Sequence, residues 1–562
     1  MPEEKTPTDS PDSFAADSSF DTAQYESNSP DLDALEESAV ADTADTIQPP
    51  AGQLADSLAF QKWGLVGLLL FFTVFALEFV RTDLWFDELL TLSHFVSLPQ
   101  LSQVFEHYPI ANNHMLFSGL LWTWWRIVRF VISEEVLRFP CLLLALSSIS
   151  ILFLHGRRLF GAAGGYLMAL MLAFSPVYLG FFYQLRGYGL SIFLAILATL
   201  GVFYIIKDRL GQGTLFYVVG TVLLPIVVPS NVMLNASLFV FLNLVCVQNG
   251  MWRRRLPLLV MLGVASVAGM IVYQPIWPQF RSVMTNTGGW SSGVDVVLHW
   301  GLALLSHVLL FIVSCLWMRR NPGIPDHVDK YSDLRRTLPL LALCCIVPII
   351  SVALWRAPFP RAFIAYLVPF TFCALFFLRP AYCRVDKFFM LLIFFVLANG
   401  VVWYRLADYF TRKSLYEDGQ FRQNLVQQFY TRNQDIYDTT RALAQSSVFG
   451  SRTQIFIEFH QYLSFQHYWS RVGGRVEQVE CMLGGSDFFG LQHPAEMYRY
   501  YPQLIIGYDP EQARAAYEKT LGYEVQLQEV YMAAPMRLFR VIPTTPPLLP
   551  KPRRPDLGGI RI

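Results

Sequence analysis

In the stretch RTDLWFDELLTLSH, which begins at Arg81, two aromatic residues, Trp85 and Phe86, lead directly into two carboxylates, Asp87 and Glu88. The stretch follows a long apolar run, WGLVGLLLFFTVFALEFV. An acid next to two rings is partly desolvated, which strengthens it as a proton acceptor. The pair is therefore a candidate for catalysis at a bilayer surface, and it also reads as an aromatic belt with a solvated acidic loop. Other polar residues at the mouths of apolar runs join it, because ionisable groups near membrane depth are costly and rare. In YQLRGYGL, Arg186 offers a forked, weakly hydrated cation suited to a phosphate, with Tyr183 and Tyr188 on either side. The same arginine also reads as a side chain snorkelling to the interface. In APFPRAFIAYLVPF, Arg361 follows two prolines and is either a second anion contact or a helix flank. In YPIANNHMLFSGLLW, Asn112, Asn113 and His114 form a polar cluster suited to sugar hydroxyls, or else to capping the next helix. Arg138, in VLRFPCLLLAL, opens another apolar run.

These residues need a membrane scaffold, and the composition supplies one. Of the 562 residues, 54% are hydrophobic and 15% charged, against about 25% charged in a soluble domain; the mean hydropathy is +0.37. The net charge of zero gives no basic surface for nucleic acid. Apolar runs long enough for a hydrocarbon core of about 30 Å are predicted near 63–80, 114–132, 137–155, 164–182, 189–206, 214–229, 231–248, 256–276, 295–317, 338–355, 362–378 and 388–404. Residues 1–56 are acidic and poor in large apolar side chains, which predicts a disordered cytoplasmic tail rather than a signal peptide. Residues 57–405 form the transmembrane part. Residues 406–545 read as a soluble α/β domain, with strands at 455–459, 503–508, 524–532 and 536–542 and a helix from Glu511 to Gly522. Residues 546–562 form a loose tail. Six of the eight cysteines fall in apolar runs, and neither a CxxC pair nor a disulfide framework is present.

Basic clusters at Arg157–Arg158, Lys207/Arg209, Arg253–Arg255, Arg319–Arg320 with Arg335–Arg336, and Arg384/Lys387 occupy alternate connections, as expected of cytoplasmic loops. The remaining connections, including those of Asp87, Arg186 and Arg361, and the C-terminal domain then face outward. A full crossing at 114–132 breaks this alternation. Either that segment turns back or an unread helix restores parity, giving roughly 11 or 13 crossings.

The succession WFDE, NNHML, LRFP, HGRRLFG, SPVYLGFFYQLRGY, a late arginine loop and an external tail domain resembles the GT-C superfamily of polyprenyl-phosphate-sugar-dependent glycosyltransferases. Within it, the pattern is similar to the group of bacterial protein O-mannosyltransferases and lipid A aminoarabinose transferases. Members carry an acidic pair in the first external loop, a His-Pro-Pro-Leu-like opening, an Arg-Leu-Pro segment and a Glu/Gln-Ala-Arg-x-Tyr turn. The resemblance spans about 60–405. Here Asn113-His114-Met115 replaces the proline-containing opening, and Gln184-Leu185 stands where Glu/Gln-Ala is usual.

The resemblance implies a polytopic all-α membrane protein of GT-C type with a C-terminal α/β domain, in a bacterial plasma membrane with its site on the outer, periplasmic face. It implies an inverting transfer of a sugar from a polyprenyl-phosphate donor to an acceptor hydroxyl of protein, lipid or glycan. Within the acidic pair Asp87 would be the general base, Arg186 with Arg361 and Arg138 would hold the donor phosphate, and Asn113, His114, Tyr183 and Tyr188 would contact substrate. No metal or other cofactor is expected, and membrane lipid is the expected surrounding. A lipid-linked-sugar flippase or transporter, or an O-antigen-type ligase or polymerase, also fits many helices and buried arginines. Neither accounts for an acidic pair in the first loop.

Overall fold

The computed structural model describes residues 58–110, 113–128, 133–287, 293–304, 332–355 and 360–377. In the C-terminal part it describes 436–445, 454–457, 459–474, 479–481, 503–507, 510–511, 514–515, 518, 524–533 and 536–543. The acidic segment 1–56, the predicted span 388–404, most of 295–317 and the tail 546–562 lie outside the described residues. Residues 54–562 pack as one unit.

Helix Leu58–Val80 is apolar on every side. Phe72, Ala76 and Phe79, one helical face, are buried. Phe72 meets the Phe182 ring at 5.3 Å and Phe79 meets Tyr183 at 5.6 Å. The opposite face is open, with Val74 70% exposed and, on another helix, Leu354 83% exposed. Apolar faces of this extent are stable where lipid covers them. By length and composition, seven helices among the described residues can cross a membrane: Trp63–Val80, Glu134–Ala162, Tyr188–Ile206, Leu210–Val227, Pro229–Gln248, Trp252–Tyr273 and Asp333–Val352. Gly164–Ala173 and Pro360–Leu375 are shorter apolar helices. At Gly161 the backbone takes φ 78°, which breaks Glu134–Ala173 into two pieces. The predicted span 164–182 is therefore two short helices, since Ser175-Pro176 starts a new one at Pro176–Phe181.

Helix Tyr188–Ile206 lies at the centre and is buried along nearly its whole length. It packs closely on Leu210–Val227 through glycines. A Cβ on Gly220 would come within 2.6 Å of the Ala198 backbone nitrogen. Small residues of this kind let membrane helices approach backbone to backbone.

The central helix also separates two ends of the bundle, about 28 Å apart at 1.5 Å per residue. Arg186 precedes its first turn. At its far end Tyr204 meets His155 Nδ1 at 2.7 Å, and Arg255 binds the Asp208 carboxylate at 2.7 Å and the Ile205 carbonyl at 2.8 Å. The basic residues beside His155 and Arg255 thus lie opposite Arg186. Helix Met115–Val128 does not travel between these ends. It has 14 residues, about 21 Å, and both of its ends stay with Arg186. His114 before it packs on Gly187, and Arg138 after it binds Glu88. Its indoles point back to the same layer: Trp122 Nε1 donates to the Leu98 carbonyl and Trp124 Nε1 to the Val136 carbonyl, each at 2.8 Å. A helix rich in tryptophan with bonded indoles suits the lipid interface. The described part of the segment read as a span at 114–132, His114 and helix Met115–Val128, thus keeps both of its ends in one layer.

The C-terminal part holds a five-stranded sheet of β1 (Gln454–Ile457), β2 (Val479–Cys481), β3 (Gln503–Gly507), β4 (Val525–Ala533) and β5 (Met536–Pro543), in the order β2-β1-β3-β5-β4. β1 runs parallel to β2 and β3, while β5 is antiparallel to β3 and β4. Ile455, Phe456 and Ile457 are all buried, as in a parallel strand covered on both faces. The predicted strand 455–459 ends at Ile457, and Phe459 opens helix Phe459–Arg471. The sequence reading missed that helix, although Tyr462, Phe465 and Trp469 form its buried face at helical spacing. It also missed helix Ile436–Gln445 and β2. Positions 511, 514, 515 and 518 are helical, within the predicted helix, and position 510, one residue before its predicted start, is helical too.

Candidate active site

A turn and a short helix, Phe86–Thr91, follow the first membrane helix. Glu88 lies in the first helical turn, where its Oε2 accepts the Trp85 amide at 3.1 Å. A carboxylate at this position closes an otherwise unpaired donor of the helix start. This local bond turns Glu88 inward and leaves Asp87 on the neighbouring side.

Glu88 is fully buried and its oxygens are occupied. Oε2 also accepts Arg138 Nη2 at 2.6 Å, while Oε1 accepts Arg138 Nε at 3.0 Å and the Leu185 amide at 2.8 Å. Arg138, equally buried, gives its remaining donors to the end of the first helix and the loop that follows it. Nη1 reaches the carbonyls of Val80 at 3.1 Å, Phe79 at 3.4 Å and Thr82, and Nη2 reaches the Asp83 carbonyl at 3.0 Å. The Tyr183 ring lies 5.1 Å beneath the guanidinium. A forked, fully bonded pair of this kind is the form in which buried charges are tolerated. It joins the end of the first helix, the start of Glu134–Ala173 and the Gln184–Arg186 turn.

That turn delivers Arg186. Its Nη1 lies 2.5 Å from Asp87 Oδ2, and Arg361 Nη2 lies 3.2 Å from the same oxygen. Arg186 stacks over Tyr188 at 4.9 Å, and Arg361 approaches the Trp85 ring at 5.8 Å. Arg361 belongs to the 3₁₀ turn Pro360–Tyr366, which Ser230 Oγ fixes through the Ala362 carbonyl at 2.8 Å. His114 completes the cluster. Its ring meets Tyr188 edge to face at 5.1 Å, and burial with the nearby Arg186 and Arg361 holds its pKa well below the ordinary imidazole value. Both of its ring nitrogens and Arg186 Nε are buried without a hydrogen-bond partner. Gly187 makes this packing possible, because a Cβ there would collide with Val227 and come within 2.9 Å of His114 Nδ1.

The sequence candidates therefore divide. Asp87, Arg186, Arg361, His114 and Tyr188 converge. Glu88, Arg138 and Tyr183 form the layer beneath, with the Arg138 nitrogens all engaged by the chain rather than turned toward a donor phosphate. Asn113 donates to the carbonyls of Val104 and His107, both at 2.9 Å, and so braces the first loop. Asn112 is outside the described residues.

Sequence reading missed a further layer from the C-terminal part. The Tyr468 hydroxyl accepts the Leu84 amide at 2.7 Å and donates to Glu134 Oε1 at 3.1 Å. Arg471 pairs with the same Glu134 oxygen. Ser464 Oγ donates to the Leu84 carbonyl at 3.3 Å, and the Tyr437 amide donates to Asp83 Oδ2 at 2.8 Å. Burial, with Asp83 and Glu134 nearby, raises the Tyr468 pKa far above the usual phenol value, so the hydroxyl keeps its proton. No local signal marks Tyr468, which lies 384 residues from its partner in the loop.

Among the described residues, two guanidiniums and one carboxylate meet beside a neutral imidazole, a local excess of positive charge. The cluster is suited to an anion. Among the described residues no three His, Cys, Asp or Glu side chains are grouped to share a metal ion.

No family model and no curated protein matches the chain. Among solved structures, it is similar to the crystal structure of ArnT from Cupriavidus metallidurans bound to undecaprenyl phosphate, at 13% identity and a TM-score of 0.48. The alignment covers 84% of this chain and 98% of that one.

Proposed function

We propose that the protein is an inverting membrane glycosyltransferase that moves a sugar from a polyprenyl-phosphate donor to an acceptor hydroxyl, on the non-cytoplasmic face of a bacterial plasma membrane. The observation that carries this reading is the meeting of Arg186 and Arg361 on one Asp87 oxygen, at one end of an apolar helical bundle. The order of motifs in the sequence supports it independently.

In this mechanism the donor phosphodiester draws the guanidiniums of Arg186 and Arg361 toward itself and frees Asp87. Asp87 takes the proton of the acceptor hydroxyl as its oxygen attacks the anomeric carbon. The bond from that carbon to the phosphate oxygen breaks, and its electron pair stays on the phosphate, which leaves as polyprenyl phosphate. The arginines stabilise that growing charge where little water competes. Attack from the face opposite the phosphate inverts the anomeric centre. His114, held neutral, offers one N–H and one lone pair to sugar hydroxyls. Arg138 and Glu88 serve as the frame that aligns base and clamp.

The test is incubation of purified protein with radiolabelled polyprenyl-phosphate sugars, measuring free polyprenyl phosphate and following the label to its acceptor. Release by the wild type and not by Asp87→Asn supports the reading. Movement of intact donor across vesicles without release identifies a flippase instead.

A further inference from the structure

Helix Phe459–Arg471 reaches out of the C-terminal part and touches the turn that leads into the helix bearing Asp87. We propose that Tyr468 is a positioning residue for that carboxylate, making the C-terminal part a working component of the site. The inference rests on the glycosyltransferase reading only for what Asp87 does, not for the clamp itself.

The turn at 82–85 is held from two sides. Arg138 grips its carbonyls from within the bundle, at Thr82 and Asp83. The C-terminal part grips further polar groups of the turn: Tyr468 and Ser464 take both backbone groups of Leu84, and the Tyr437 amide takes the Asp83 carboxylate. Two residues further on, Phe86 starts the helix in which Asp87 stands. A rotation of Leu84 is therefore carried to Asp87 through a rigid, capped turn. Tyr468 is itself fixed: its proton goes to Glu134, which Arg471 holds, and its ring packs on Tyr437 at 5.5 Å. The tyrosine oxygen is thus both acceptor for the loop and donor to the helix start at Glu134, a double role a phenylalanine cannot fill.

The test compares the full-length detergent-purified protein with Tyr468→Phe and Glu134→Gln. Glu134→Gln keeps an oxygen acceptor for Tyr468 and acts as the conservative control. Hydrogen exchange in peptides covering 82–91 should rise about tenfold in Tyr468→Phe, as expected for loss of buried hydrogen bonds with local opening. Peptides covering 188–206 and 503–507 should stay as in wild type, and Glu134→Gln should lie between the two proteins. Turnover of donor should fall about tenfold with the donor KM unchanged, because misplacing a base affects the reacting step more than binding. Unchanged exchange at 82–91 overturns the proposal, and so does a rise spread evenly over the helix and sheet peptides. If wild type releases no polyprenyl phosphate, the glycosyltransferase reading fails while the exchange result still decides the clamp.

Discussion

Of two adjacent acids only one faces the cationic pair, and the reason is local. Glu88 is drawn inward by the Trp85 amide and by Arg138, so Asp87 is left to meet Arg186 and Arg361. Under the proposed mechanism, Asp87→Asn should keep its fold and lose at least about 100-fold in turnover, the lower range for a missing general base; donor-release kinetics check this. Glu88→Gln should act differently. It leaves Arg138 buried with a neutral partner, so the melting temperature should fall by an amount reflecting about 3 kcal/mol, measured by thermal unfolding in detergent. Arg186→Lys keeps the charge and loses the fork. Titration should show weaker donor binding for it, and weaker still for Arg186→Ala. The depressed pKa of His114 has a pH consequence. Below about 6.5 the unfolded chain takes up a proton at this position that the folded chain refuses. The stability contribution is full above that pH and is lost as pH falls, so thermal unfolding of His114→Gln should depend less on pH between 8 and 5 than wild type. A stability difference between the two proteins that stays constant from pH 8 to 5 would contradict it.

At the scale of elements, the sequence made the membrane helices legible and the turns that join them much less so. Apolar length is a strong signal, so Trp63–Val80, Tyr188–Ile206 and Pro229–Gln248 fall where expected. Helix Met115–Val128 carries the same apolar signal with too few residues, and only the contacts at its two ends show that both lie in the layer of Arg186. Asp87, Arg186 and Arg361 stood out as charges at the mouths of apolar runs. Arg138 stood out for the same reason, yet its carbonyl partners are backbone groups, invisible in residue types. Asn113 looked like a sugar ligand because a free amide and one that braces a loop have the same letter. Gly187 joins the turn of Arg186 to His114, and Gly187→Ala should displace both. The polyprenyl-phosphate donor proposed above should bind it about tenfold more weakly, the scale expected when overpacking of a site costs about 1–3 kcal/mol, while the melting curve stays cooperative.

For the whole molecule, the alternating basic loops and the packed ends of the central helix lead to the same map. Single cysteines at His107, Arg126 and Ser282 should react with a membrane-impermeant thiol reagent in intact cells, in a background cleared of native cysteines. Cysteines at Arg158 and Arg253 should react only after permeabilisation. Protection of position 126 together with labelling of 107 would mean that Met115–Val128 crosses after all.

The hydrogen bond between Leu84 and Tyr468 also sets an order of events during biosynthesis. The loop bearing Asp87 leaves the ribosome long before its partner, 384 residues later. At about 5–20 residues per second, that interval is roughly 20–80 s. During it the first helices are already in the bilayer, and Arg138 has emerged to hold the turn from below. The upper grip arrives only with the last quarter of the chain. A nascent protein is thus inserted well before the loop bearing Asp87 is finished, and a ribosome that stops before the codon for Tyr468 leaves a membrane protein in which that loop lacks its upper grip.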